Sequence, residues 1–327
     1  MLRMFLVLLL VSCASTPERP AILQEKFWKN YKEIPLESKI QDAPPELIKY
    51  LLKANEKGGW PNKPRAVDMP ADLLKDVRNA INELPRALKE KITSKVAGII
   101  FVDDLGGSAL TEVIYNTEGK RTAAVVVLDK SMLNRKANEW ATWKESTPFK
   151  DNQKIKLQIR IENPQNNNRK NALQYILLHE FGHVLNIGSD LLPFWEDRPQ
   201  DFKDQDIPFF RQSWQVSKKD EIESIYDKDW PERKDVRFYT GDEKKIAMDK
   251  LLELYSRLSQ TSFPTLYATT DYSDDFADAF ANYVHVVVLD KPWIIELNYN
   301  NEKYSFGDCW NEDRCEGKKK LLEQLVR

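Results

Sequence analysis

With 327 residues, 42 % of them hydrophobic and 31 % charged, the chain has a globular balance and enough length for one large domain or two modest ones. Forty-nine Lys and Arg against fifty-one Asp and Glu leave a net charge of −2, which excludes the basic footprint that nucleic acid requires. Eleven glycines without a Gly-rich cluster exclude a P-loop or dinucleotide fingerprint, and no apolar run reaches the ~18 residues of a membrane span.

The chain opens with Arg3 ahead of an apolar stretch from Met4 to Val11, then Ser12 and Cys13. This pattern predicts an export signal over 1–12, too short to persist as a span. Leu10-Val11-Ser12-Cys13 resembles the lipobox of bacterial lipoproteins, which implies lipidation of Cys13 and a place in the cell envelope, with a membrane as partner. Ala14 after the cysteine points, by the same resemblance, to the outer membrane. Only Cys309 and Cys315 then remain, close together in GDCWNEDRC, and an oxidising compartment predicts a disulfide between them.

Residues 13–45 are polar and punctuated by proline, and read as a tether passing into loose helix. Glu46 to Lys57 and Asp72 to Glu83 carry apolar residues at helical spacing, so 46–92 is expected to be helical. The pattern changes at Val96. Short β-branched runs at Val96 to Asp103, Leu110 to Tyr115 and Thr122 to Leu128 predict a meander, and Ile155 to Ile161 alternates like a strand with one wet face. That last strand is the expected edge along which an extended peptide would pair. Asn171 to Leu185 returns to helical periodicity, so strands leading into one long helix predict an α+β domain over 93–300. Residues 189–242 have no clear period but hold Trp195, Trp214 and Trp230, which reads as an insertion with its own aromatic cluster or as a substrate-facing loop. Glu243 to Gln260 and Asp274 to Val288 are amphipathic helices, and 301–327 is a C-terminal tail.

Two of the three histidines stand in His179-Glu180-Phe181-Gly182-His183. On a helix, positions i and i+4 share a face, so both rings can reach one metal ion. Glu180 can then meet a water at the ion's fourth position and take its proton as general base. A third ligand is needed. Asp190 lies just downstream, but the metzincin pattern fails at Asn186 and Ser189. Asp274 and Asp278 share a face of the distal helix: Asp274 would ligate, and Asp278 would fix the tautomer of a ligating His. Asp275 is the alternative in register, and favourable placement near a helix N-terminus is the alternative explanation of Asp271, Asp274 and Asp275. His285, two turns beyond Asp278, is expected to be a packed or surface residue.

His179-Glu180-xx-His183 followed by an acid-xxx-acid helix resembles the gluzincin zinc peptidases, and within them Tyr267 to Phe280 more specifically resembles the anthrax lethal factor-like protease family. The resemblance implies a zincin-like fold and one zinc ion held by His179, His183 and Asp274. It also implies that Tyr267 donates its hydroxyl to the tetrahedral oxyanion. The chain departs from the family in having Asp where Glu is usual at 274 and 278, and a shorter arm demands a closer helix. The resemblance covers two short segments, leaving the N-terminal helices and the tail outside it. The reading is an exported zinc metallopeptidase acting on a peptide or protein substrate. The alternatives are a non-catalytic zincin-fold binding lipoprotein or a zinc hydrolase of non-peptide cell-wall bonds.

Overall fold

The computed structural model describes residues 19–152 and 154–327. The expected signal over 1–12 and Cys13 lie outside the described residues. From Ala21 the chain is folded: short 3-10 turns carry Ile22, Trp28, Tyr31 and Leu36 into the core, and Ile40–Gln41 (β1) pairs in parallel with Ile99 and Ile100. The tether expected through residue 45 is therefore packed protein from there on. Its apolar residues have no helical period, so only burial, not periodicity, identifies them as core.

Pro45–Gly58 (α1), Arg65–Ala66 (β2), Ala71–Asn82 (α2) and Arg86–Thr93 (α3) follow. Each helix starts directly after a proline (Pro44, Pro70, Pro85), where a missing N–H costs nothing, and Gly59 closes α1 at a φ of 72°. Val96–Asp103 (β3), Ala109–Tyr115 (β4) and Arg121–Asp129 (β5) form the main sheet in the order β1-β3-β5-β4, with β2 added antiparallel to β3. The expected meander is not formed, because β5 lies between β3 and β4 and runs parallel to β3. Burial explains the order. β3 and β5 are apolar on both faces and fill central places, whereas the first four residues of β4 are only half-buried and suit an edge.

Ala137–Ser146 (α4) and Lys156–Arg160 (β6) lead to the long helix Arg169–Asn186 (α5). Then come Pro199–Phe202 (α6), Trp214–Val216 (β7), Ile222–Ser224 (β8), Leu251–Leu258 (α7), Tyr272–Tyr283 (α8), Ile294–Tyr299 (β9), Glu302–Phe306 (β10) and Asp313–Val326 (α9). Helices with small mixed sheets are compatible with the α+β class. β6 pairs with β9 in the small sheet β10-β9-β6 and does not line the cavity described below, which corrects its expected place along the cleft. The helix expected over Glu243 to Gln260 is confined to α7, because Ile246 is drawn into a bridge with Phe149. None of the described helices is long and apolar enough to cross a membrane.

The segments outside 93–300 share the same core. Gln174 on α5 donates to the Ala80 carbonyl at the end of α2, and Lys318 on α9 is buried against Asp275 on α8 at 2.6 Å. Phe209 and Phe210 of the insertion pack edge-on against Phe276 and Tyr272 of α8 (4.9 and 5.6 Å), so its aromatics join the main core rather than form their own cluster. Cys309 and Cys315 are disulfide-bonded.

His285 is fully buried, with Nε2 donating to the Ile161 carbonyl at 2.8 Å. Burial, with Lys291 nearby, lowers its pKa to about 3. The unfolded chain, whose histidines titrate near ~6.5, takes this proton first, so the contribution is present above that pH and lost as pH falls towards 3. The expected loss is on the order of 5 kcal/mol across that window. Urea unfolding of wild type and His285→Gln at pH 7 and pH 4 checks this: the variant should lose less on acidification, and an equal loss would discard the assignment.

Candidate metal centre

Two capped helices cross at the centre of the molecule. Asn168 caps α5 by accepting from the Asn171 N–H at 3.0 Å, and Asp271 caps α8 by accepting from Ser273 at 2.8 Å. α5 is buried on nearly every side, so its residues lack the one-sided pattern of a surface helix. Where the helices meet, Gly182 faces Ala277. A Cβ on Gly182 would stand 2.6 Å from the Ala277 Cα, closer than atoms pack. Glycine at 182 thus permits the approach that the short Asp274 arm needs.

His179 and His183 emerge on one face of α5 with Asp274 of α8 opposite them. The Asp274 Oδ1 lies 3.7 Å from His179 Nε2 and 3.5 Å from His183 Nε2, and one donor atom from each residue falls within 4.8 Å of the others. These separations are too long for good hydrogen bonds. They match the edges of a tetrahedron with ~2.1 Å metal–ligand bonds, which are roughly 3.4 Å long. The group could therefore hold a metal ion, and two imidazoles with one carboxylate are a donor set that suits zinc.

The alternatives for a third ligand are accounted for otherwise. Asp275 is fully buried, bonded to Lys318 at 2.6 and 2.7 Å and to Trp214 Nε1 at 3.0 Å, while Asp190 is exposed and outside the cluster. Asp278 sits behind His179, accepting from Nδ1 at 3.1 Å, from Lys144 Nζ at 3.2 Å and from the Thr265 hydroxyl. That bond orients His179 so that Nε2 faces Asp274. Glu180 is buried, and its Oε2 accepts from Thr111 Oγ1 of β4 at 2.7 Å.

Burial would raise the Asp278 pKa, but Lys144 and His179 hold it down to about 2. Asp274 is likewise held below the ordinary carboxylate range by the two imidazoles, against its burial. Burial would lower His179, yet the Asp274 and Asp278 carboxylates raise it to about 9. Glu145, beneath Lys144, is pushed up to about 7 by burial. One lysine thus serves a nest of buried carboxylates, where positive charge is favoured.

A cavity of about 140 Å³ adjoins His179 and Glu180, with Lys144, Tyr175, Tyr239 and Tyr267 in its wall. Tyr267 packs 5.4 Å from the His179 ring and has Lys144 Nζ 4.2 Å from its own centroid, so it stands in the site rather than elsewhere in the core. Its hydroxyl pKa is raised by burial and by Asp274. From the insertion, Trp195 packs edge-on to His183 at 5.8 Å, and Tyr239 meets Tyr267 at 6.3 Å. Tyr239 holds a left-handed φ of 58°, a conformation costly for a bulky side chain and often found at functional sites. Lys144, Thr111 and Tyr239 were not legible as site residues, since nothing local in sequence marks them, and Trp195 stood only within the segment that reads as an insertion or a substrate-facing loop.

Gly182→Ala is expected to force α5 and α8 apart, weakening metal binding at least tenfold and destabilising the fold by about 1–3 kcal/mol. Metal titration and thermal unfolding of that variant check it; unchanged affinity would show that the close approach is not required.

No family model matches this chain, and neither a curated protein nor a solved structure was found similar to it.

Proposed function

We propose that the protein is a zinc metallopeptidase of gluzincin-like architecture, exported and lipid-anchored through Cys13. The observation that carries the reading is the convergence of His179, His183 and Asp274 beside a buried Glu180, with Asp278 behind His179. When bound there, zinc supplies Lewis acidity, polarising a scissile carbonyl and lowering the pKa of a water towards ~7. His179, His183 and Asp274 would hold it. Glu180, kept in place by Thr111, takes the attacking water's proton and passes it to the leaving amine. Tyr267, packed beside His179 in the cavity wall, would donate its hydroxyl to the developing oxyanion. Lys144 and Thr265 position Asp278, and Asp278 positions His179.

The strand beside this chemistry is β4, an edge strand paired with β5 and, among the described residues, bridged on its other side by Gln24 at Tyr115; it reaches Glu180 through Thr111. Its outer edge takes the part expected of Ile155 to Ile161, offering unpaired backbone groups to an extended substrate. The test is a peptide library incubated with the zinc-loaded chain from Ala14 and read by mass spectrometry. Cleaved amides that disappear with a chelator are expected. Zinc bound without any cleaved amide would remove the peptidase and favour a binding protein or a hydrolase of other bonds.

A further inference from the structure

α1 is attached to the body by one face only. Leu47 and Leu51 are buried in a cluster with Ile22, while Ile48 is only partly buried at its margin and Leu52 is exposed. Beside Ile48 and Leu52, Lys49, Lys53 and Lys57 recur at every fourth position. A broad open trough of about 1000 Å³ runs between this face and 63–66, its floor made by Ile48, Leu52, Pro64 and Ala66. Lys49, Lys53 and Lys63 rim it, and Glu56 is the only carboxylate in its lining. Arg65 is tied to Asp103 at 2.6 Å and Lys63 lies beside Asp104, but Lys49, Lys53 and Lys57 form no ion pair with a carboxylate among the described residues. Just past Gly59 stands Trp60, 63 % exposed, the most exposed large hydrophobic residue described; Leu52 is 40 % exposed.

We propose that this face docks on an anionic phospholipid bilayer. Apolar residues between lysines, with a tryptophan at the margin, are the composition of an interfacial surface: the lysine stems lie along the apolar strip while the ammonium groups reach the headgroups. The chain as a whole carries a charge of −2, so a patch of unpaired lysines gives attraction to an anionic surface a definite direction. A second copy seated here would set these lysines against one another, which argues against self-association. The point of chain entry agrees. Ile22 packs with Leu47 and Leu51, so the segment leading in from Arg19 joins the body beside α1. On the anchored reading above, Cys13 is six residues before Arg19, a reach of roughly 20 Å, although the charge and apolar pattern stands without that lipid.

The test uses the lipid-free chain from Ala14, which keeps every described residue, in flotation with two kinds of vesicle. One is phosphatidylcholine alone, and the other contains about a third phosphatidylglycerol. Binding to the anionic vesicles only, released by high salt, is expected. Lys49→Glu combined with Lys53→Glu should weaken it tenfold or more, and Trp60→Ala several-fold. These positions are exposed or partly exposed, and thermal unfolding of the variants should match wild type. Equal binding to both vesicles, no binding to either, insensitivity to the variants, or a dimer that buries this face would each overturn the proposal. Absent vesicle binding beside intact zinc and peptide cleavage would overturn this surface alone and leave the enzyme reading in place.

Discussion

Asp274→Ala should strip the centre of its metal while leaving the fold standing. Zinc binding in sites of this chemistry is worth roughly 10–16 kcal/mol, shared among about four ligands, so losing one protein ligand costs on the order of 3–4 kcal/mol. That is several hundredfold or more in affinity. Elemental mass spectrometry after dialysis should read about one zinc per wild-type chain and none in the variant. The fold should survive because Asp274 lies in the first turn of α8 with its side chain 26 % exposed, and its partner His179 can release its proton when the carboxylate is removed. Asp275→Ala should do the opposite. Its carboxylate neutralises the fully buried Lys318, so its removal should cost about 3–5 kcal/mol of stability while the zinc stoichiometry is unchanged. Neighbouring acids with reversed phenotypes would fix the register of α8. Zinc retained by Asp274→Ala, or lost from a folded Asp275→Ala, would move the third ligand.

That register was half legible in the sequence. The i, i+4 spacing of His179 and His183, and of Asp274 and Asp278, states which side chains share a helix face, because 3.6 residues per turn is a local rule. What faces those side chains across the fold is not local. Asp275 could be separated from Asp274 only through Lys318, forty-three positions on, and the charge that steadies Asp278 comes from Lys144, one hundred and thirty-four positions away. The reading of a tether as far as residue 45 fails from Ala21 on for a related reason. Ile22, Trp28, Tyr31 and Leu36 fill the core from irregular turns, where no period announces burial. Alternation in Ile155 to Ile161 did indicate a strand, but alternation says nothing about which sheet it joins; β9, far downstream, decided that. Gly182 showed the reverse case. Its meaning lies in the Ala277 backbone it touches, so a residue in plain view within the motif stayed silent until the second helix was placed.

Glu180→Gln should separate holding the metal from using it. The substitution keeps the size of the side chain, and its amide can still accept from the Thr111 hydroxyl that now bonds the carboxylate at 2.7 Å. His179, His183 and Asp274 are untouched, so zinc content and thermal stability should match wild type. The amide cannot take a proton from water, and a positioned general base contributes about 10²–10⁴ in rate. Peptide cleavage, assayed at saturating zinc, should therefore fall by that factor in kcat with little change in KM, since the lost interaction belongs to the transition state. Equal turnover would remove Glu180 as the base. A fall in zinc content instead would mean that the buried carboxylate belongs to the ligand set, and the cluster would then be a four-ligand structural site closed to water. The position of Glu180 argues for the first outcome: Thr111 turns its carboxylate towards the edge of β4, where a substrate would lie, and it is absent from the group of donors within 4.8 Å of one another.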